Sequence, residues 1–272
     1  MRHRAIGVGV AALAMVGGGV MVGGPPVWLI DWLAARYPGC LYRVPAQART
    51  VALTLDDGPD TATTPLILAE LERHRAHATF FLITGRVQSQ DSLVRRIVSE
   101  GHEIGNHFTR DRPSIRLSAD EFAEDLEQAH RVLTPYGAVR WARPGSGWYS
   151  QPMVAALDRK GYRCALGSVY PYDAAIPSVT FASWYVRRNV RPGAILVLHD
   201  GGARGSRTAR ILQSVLPWLE RQGYRVVSLS TLAARPRQLD TEPAETPDPA
   251  MIRGQLRALV VELDLALGAK RR

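Results

Sequence analysis

The chain has 272 residues, 46% of them hydrophobic, enough for one large domain or two small ones. Its formal charge of +9 is carried almost wholly by arginine, because Lys160 and Lys270 are the only lysines. Such a balance suits anionic partners, but no nucleic-acid-binding motif appears, so no nucleic-acid partner is expected. The two cysteines, Cys40 and Cys164, are too few for a disulfide framework or a cysteine zinc site.

At the N-terminus Arg2 and Arg4 precede about twenty uncharged residues, Ala5 to Gly24. The pattern predicts an export segment over 1–24, with the body outside the membrane by the positive-inside rule. A cleaved signal peptide and an uncleaved anchor both fit; the anchor is preferred, since no clean small-x-small cleavage site follows. Residues 25–49 then read as a juxtamembrane segment.

From about Val51 strands and helices alternate over roughly 180 residues. Strands are predicted at Val51–Leu55, Ala78–Ile83, His102–Gly105, Val139–Ala142, Arg163–Leu166, Ala194–Leu198 and Arg225–Ser228. Cys164 falls in the fifth of these, so a buried thiol is the simpler reading, with a Cys40–Cys164 bridge as its alternative. Between the strands lie amphipathic stretches. TPLILAELERH opens with a Thr cap and a Pro in its first turn, SADEFAEDLEQAHRVL carries acids in its first turn, and SLVRRIVSE stops at Gly101. The repetition implies a parallel α/β sheet, better closed as a distorted (β/α)7-type barrel than left open. Residues 233–250 are rich in Pro and acids and read as a linker. Residues 251–272 have helical periodicity, and packing back on the domain is the simplest role for that amphipathic helix.

In a parallel α/β fold chemistry gathers where strands end. The first strand ends in two adjacent carboxylates, Asp56 and Asp57, in VALTLDDGPD. Two like charges after an apolar run serve no packing role, although an Asp-Gly turn is the plain alternative. Other strand ends supply His107 with Asp111 four residues on, Arg143 in ARPGSGW, and His199 in LVLHD. Any one of these alone means little; their convergence on one face is the signal.

These stretches resemble the polysaccharide deacetylase family, also called the NodB-homology domain or carbohydrate esterase family 4. TLDDGP is similar to its first motif, GHEIGNH leads into the second, RPGSGW resembles the third and LVLHD the fifth, in the right order over Val51 to Leu232. The resemblance implies a catalytic domain over 50–232 with a NodB-type barrel. It implies hydrolysis of an N-acetyl group on a glycan or glycoconjugate, anionic in keeping with the basic chain. It also implies a divalent metal, Zn, Co or Mn, held by Asp57, His107 and Asp111. Asp56 would be the general base, Arg143 would pair with and orient it, and His199 would protonate the leaving amine. A backbone N–H near Gly145 or Ser146 would hold the oxyanion. The second motif departs from the usual pair of histidines, since Asp111 stands where the second is expected; such a donor set selects zinc less strongly. The fourth motif, usually Asp-Trp, is also altered. Asp173 is the only carboxylate between Asp158 and Asp200, so it is the expected partner of His199, with a turn role as its alternative. Trp148 or Trp184 would wall the sugar site, or belong to the core. A carbohydrate-binding pseudoenzyme and a hydrolase of another C–N or ester bond are the other readings.

Overall fold

The computed structural model describes residues 38–234, with Ile30, Trp32, Ala34 and Ala35. The segment 1–24, the linker and the C-terminal helix expected from the sequence lie outside the described residues, apart from the linker's first two positions. Among the described residues no helix is long and apolar enough to cross a membrane.

The strands are β1 (Cys40–Leu41), β2 (Thr50–Asp56), β3 (Ala78–Leu82), β4 (Glu103–Asn106), β5 (Trp141–Ala142), β6 (Arg163–Ala165), β7 (Ile195–His199) and β8 (Arg225–Val227). They form one sheet in the order β1-β6-β5-β4-β3-β2-β7, with every ladder parallel and β8 pairing the start of β2. The helices are α1 (Thr64–Arg73), α2 (Thr84–Val87), α3 (Asp91–Ser99), α4 (Ala119–Leu133), α5 (Gln151–Arg159), α6 (Val179–Asn189), α7 (Gly202–Arg221) and α8 (Leu229–Ala233). The sheet curls until its two ends meet. Isolated bridges join Val169 to Leu196 and Arg43 to Ala194. At that seam Gly193 has φ +79°, and a Cβ there would sit 1.6 Å from the Val44 carbonyl oxygen, so only glycine fits. The fold is the distorted parallel α/β barrel of the NodB kind.

Strand periodicity sorts the side chains. Val51, Leu53 and Leu55 enter the large apolar cluster shared with α1, α3, α6 and α7. Ala52 belongs instead to the barrel interior with Phe81, Trp141, Ala165 and Ile195. Continuing that alternation carries Thr54 and Asp56 inward, and Asp56 is the last residue of β2. The end caps follow local rules in one case and not in another. Ser118 and Glu121 close a capping box at the start of α4. At α1 the N-cap is Thr63, and its hydroxyl does not cap: it donates to Asp200 Oδ1 at 2.6 Å, while the Thr64 hydroxyl donates to the other oxygen of that carboxylate, and the two tie the helix to the end of β7.

Residues 25–49, read as juxtamembrane, contribute β1 to the sheet, and Tyr42 beyond it is buried with its hydroxyl 2.9 Å from that of Tyr149. A two-residue strand in YPGCLYRVP has no periodicity to betray it; its pairing with β6 defines it. The cysteines are not free thiols. Cys40 and Cys164 face each other in register on β1 and β6 and form a disulfide.

Candidate active site

Arg143 follows β5 and is 2% exposed. Its guanidinium reaches into the barrel and is satisfied on all sides. Nη1 donates to Asp56 Oδ1 at 2.5 Å and Thr54 Oγ1 at 2.9 Å, Nε to the Ala165 carbonyl at 3.0 Å, and Nη2 to the Leu166 carbonyl at 2.7 Å. It also lies over the Phe81 ring, 4.1 Å from the centroid. A buried charge needs this degree of pairing to be tolerated.

Asp57 leaves the strand with φ 73°, a left-handed turn that separates its carboxylate from its neighbour's. His107 follows β4. Its Nδ1 lies 2.6 Å from the Arg143 carbonyl, so that nitrogen is the donor, and Nε2 faces Asp57 Oδ1 at 3.5 Å. Burial works against the Asp57 charge. His107, then His199 and Arg204, outweigh it and hold the carboxyl well below the usual range. Burial likewise opposes charge on His107, and Asp57 and Asp56 outweigh it and raise its pKa.

Asp111 lines the same cavity as this pair, from its rim. Its side chain is 52% exposed on the rim, and its nearest ionic partner is Arg204 Nη1, 3.9 Å away. The same nitrogen lies 2.8 Å from Asp57 Oδ2. Among the described residues no group of three His, Cys, Asp or Glu side chains is placed to hold a metal. Asp57 and His107 nonetheless suit a divalent cation. They are buried neighbours of carboxylate and imidazole type, and His107 is oriented through Nδ1 by a backbone carbonyl, as metal-bound histidines are.

His199 ends β7 in direct register with Asp56. Asp173, 1% exposed, accepts from the His199 backbone N–H at 2.9 Å, and its Oδ1 lies 3.0 Å from the ring Nδ1. The Asp173 carbonyl in turn accepts two bonds from Arg207 of α7. Burial disfavours the imidazolium, but Asp173 above all, with Asp56 and Asp57, raises the His199 pKa to about 9.

Asp56, Asp57, His107, Asp111, Arg143, Asp173, His199 and Arg204 line one cavity of about 350 Å³, together with Ser146, Trp148, Tyr170 and Tyr172. Trp184 is elsewhere, 41% exposed on α6. Of the two expected oxyanion donors, the Gly145 N–H is spent on Ser114 Oγ at 2.8 Å, and Gly147 donates to the Pro144 carbonyl. Ser146, between them, lines the cavity. Among the described residues, four of the five non-glycine residues with positive φ, Asp57, Phe108, Ser146 and Tyr172, lie in or beside the site; the fifth is Arg75. Backbone held in sparsely populated conformations gathers where function requires it.

Sequence reasoning missed Arg204 and Tyr170. The signal for Arg204 is a cation in the first turn of a helix, where the dipole disfavours it, five residues after His199. Tyr170 gives no such signal.

The profile of the polysaccharide deacetylase family matches residues 43–165. The chain is 35% identical over 199 residues to a peptidoglycan-N-acetylglucosamine deacetylase of Bacillus cereus, covering 70% of this chain and 91% of that one. It is 36% identical over 198 residues to a chitooligosaccharide deacetylase of Bradyrhizobium, covering 68% and 90%. Among solved structures it resembles a family 4 acetyl xylan esterase from Clostridium thermocellum in complex with a cobalt ion, with a TM-score of 0.63 and 29% identity over 67% of this chain and 89% of that one.

Proposed function

The chain belongs to the polysaccharide deacetylase family of hydrolases, and we propose that it is a metal-dependent enzyme that removes N-acetyl groups from a glycan of N-acetylated sugars. One observation carries the reading. Asp56 and His199 are register partners on adjacent strands at the mouth of one cavity, and each is held by an oppositely charged group behind it, Arg143 and Asp173. That is how an enzyme keeps an acceptor and a donor of protons side by side.

When bound by Asp57 and His107, with Asp111 as a third donor on the rim, a divalent ion such as Mn, Co or Zn would polarise the acetamide carbonyl and acidify the attacking water. Asp56 takes a proton from that water as its oxygen attacks the carbonyl carbon. The Ser146 N–H would stabilise the oxygen that becomes negative. His199 gives its proton to the sugar nitrogen as the C–N bond breaks, releasing acetate and a free amine. Trp148 offers a flat apolar wall for a sugar ring. The named relatives act on peptidoglycan and chitooligosaccharide, so N-acetylglucosamine polymers are the substrate class proposed.

The place of action proposed is outside the cytoplasm, either anchored by the N-terminal segment or secreted. The Cys40–Cys164 disulfide supports this, because such bonds persist in oxidising compartments.

A second reading, a carbohydrate-binding protein with a degenerate metal site, draws on Arg204 standing against Asp57 and on Asp111 standing apart. Acetate release from N-acetylglucosamine oligomers, with and without chelator, separates the two. Release that stops on chelation and returns with Mn, Co or Zn supports the enzyme. No release from any oligomer or from peptidoglycan, in metal-loaded protein, supports the binding protein. Release from acetylated xylan alone would move the reaction to esters.

A further inference from the structure

Arg204 sits in the first turn of α7, which contains no acidic residue and where the helix dipole disfavours a cation. Its guanidinium nevertheless reaches across to the end of β2. Nη1 is 2.8 Å from Asp57 Oδ2 and 3.9 Å from Asp111 Oδ2. The two partners differ sharply in setting: the Asp57 side chain is 6% exposed and that of Arg204 42%. A half-exposed arm with many rotamers thus places its charge on a buried carboxylate whose other oxygen faces His107.

We propose that Arg204 is a tethered cation that competes with the divalent metal for Asp57 and Asp111. It neutralises both carboxylates while the metal is away and withdraws when the metal arrives, which lowers metal affinity. The proposal rests on the reading of Asp57 and His107 as metal ligands. The competition is electrostatic: a guanidinium in contact with Asp57 Oδ2 repels a second cation on the same carboxylate. It has room to leave. A polar cavity of about 450 Å³ adjoins the site, bordered by Arg204 itself, Asp60 and Gln90. Nothing else in the surroundings pins it, since Asp57 and Asp111 are its ionic partners among the described residues. Arg86, the other arginine beside Asp57, bonds to the Asp57 carbonyl rather than to its carboxylate.

The test is a calorimetric titration of the metal-free protein with Mn²⁺ and, separately, Zn²⁺. Wild type is compared with Arg204→Met, Arg204→Lys and His107→Ala, with circular dichroism to verify folding. Arg204→Met should bind at least about tenfold more tightly than wild type, and Arg204→Lys, which keeps the charge, should stay near wild type. If Arg204→Met does not fold, Arg204→Gln takes its place with the same expectation. In the absence of metal the neutral variant should also melt lower than wild type, and metal should raise its melting temperature more. Equal or weaker binding by Arg204→Met, with binding lost in His107→Ala, overturns the competition and leaves the metal site standing. Undiminished binding by His107→Ala, or no binding by any of the proteins, overturns the metal-site reading and the proposal with it.

Discussion

Asp173 gives both oxygens of its carboxylate to His199, one to the backbone N–H at 2.9 Å and one to the ring Nδ1 at 3.0 Å. This contact fixes the ring's position and charge together. Burial pushes the imidazole towards neutrality, and Asp173 overrides it, so the pKa rises from 6.5 to about 9. An acid for the departing amine must be protonated at working pH, and a pKa raised to about 9 favours that form. Asp173→Asn should lower that pKa, so the basic limb of the kcat profile moves to lower pH, and kcat should fall by about 10²-fold or more. His199→Ala should cost at least as much, and the double variant little more, since residues acting as one unit are not additive. Independent, multiplying losses would leave Asp173 a turn residue. Stability offers a second readout. Because the folded pKa is raised, the proton on His199 stabilises the fold fully below about pH 6.5, and that contribution disappears as pH rises through about 9. Melting temperatures of wild type should decline over that window, and those of Asp173→Asn should decline less.

Asp56→Asn should abolish turnover, by about 10²- to 10⁴-fold, while leaving metal binding intact. The amide oxygen still accepts from Arg143, so the fold is kept, but it takes no proton from water. Metal content and acetate release measured on the same preparation decide the matter. Loss of the metal in this variant would mean that the roles of Asp56 and Asp57 are interchanged.

Much of this was legible in the chain. The seven predicted strands correspond to β2 through β8: β2, β3 and β7 are apolar runs that show themselves, and the shorter ones are placed by the helices and turns that bound them. Asp56, Asp57, Arg143 and His199 were legible because polar residues that end apolar strands stand out, and strand ends share one face. What stayed hidden depends on tertiary pairing. β1 has only two residues and exists through its partner β6, and the disulfide follows from that register. Asp111 sits four residues from His107, but the intervening loop turns through Phe108 at φ 65° and carries it to the rim. The contact of Arg204 with Asp57 spans 147 residues, a distance no local pattern reports.

Arg143→Met should destabilise the protein by about 3–5 kcal/mol, since it leaves the Asp56 carboxylate buried without its partner. Arg143→Lys should rescue little. A single ammonium cannot span Asp56, Thr54 and the carbonyls of Ala165 and Leu166, which the planar fork bonds at once. Combining Arg143→Met with Asp56→Leu should restore part of the loss, because both buried charges are then removed together. Urea unfolding of the four proteins gives the cycle. A double variant as unstable as the sum of the singles would show that packing against Phe81, not charge, accounts for Arg143.

Reduction of the Cys40–Cys164 bond should lower stability by about 2–5 kcal/mol, because the link closes a loop of 124 residues in the unfolded chain. Its effect on activity should be indirect. β6 ends at Ala165, and the carbonyls of Ala165 and Leu166 seat Arg143, which in turn holds Asp56. β6 keeps its ladder with β5 when the bond is cut, through Trp141–Arg163 and Ala142–Cys164. At temperatures well below melting the reduced protein should therefore retain its kcat, and it should lose activity only as its lowered melting point is approached. A Cys40→Ala, Cys164→Ala variant should behave as the reduced protein does and be indifferent to dithiothreitol. Melting curves and acetate release recorded together, with and without reductant, check both halves. A fall in kcat at low temperature with the fold intact would show instead that β1 itself, and not only β5, holds the Arg143 seat in place.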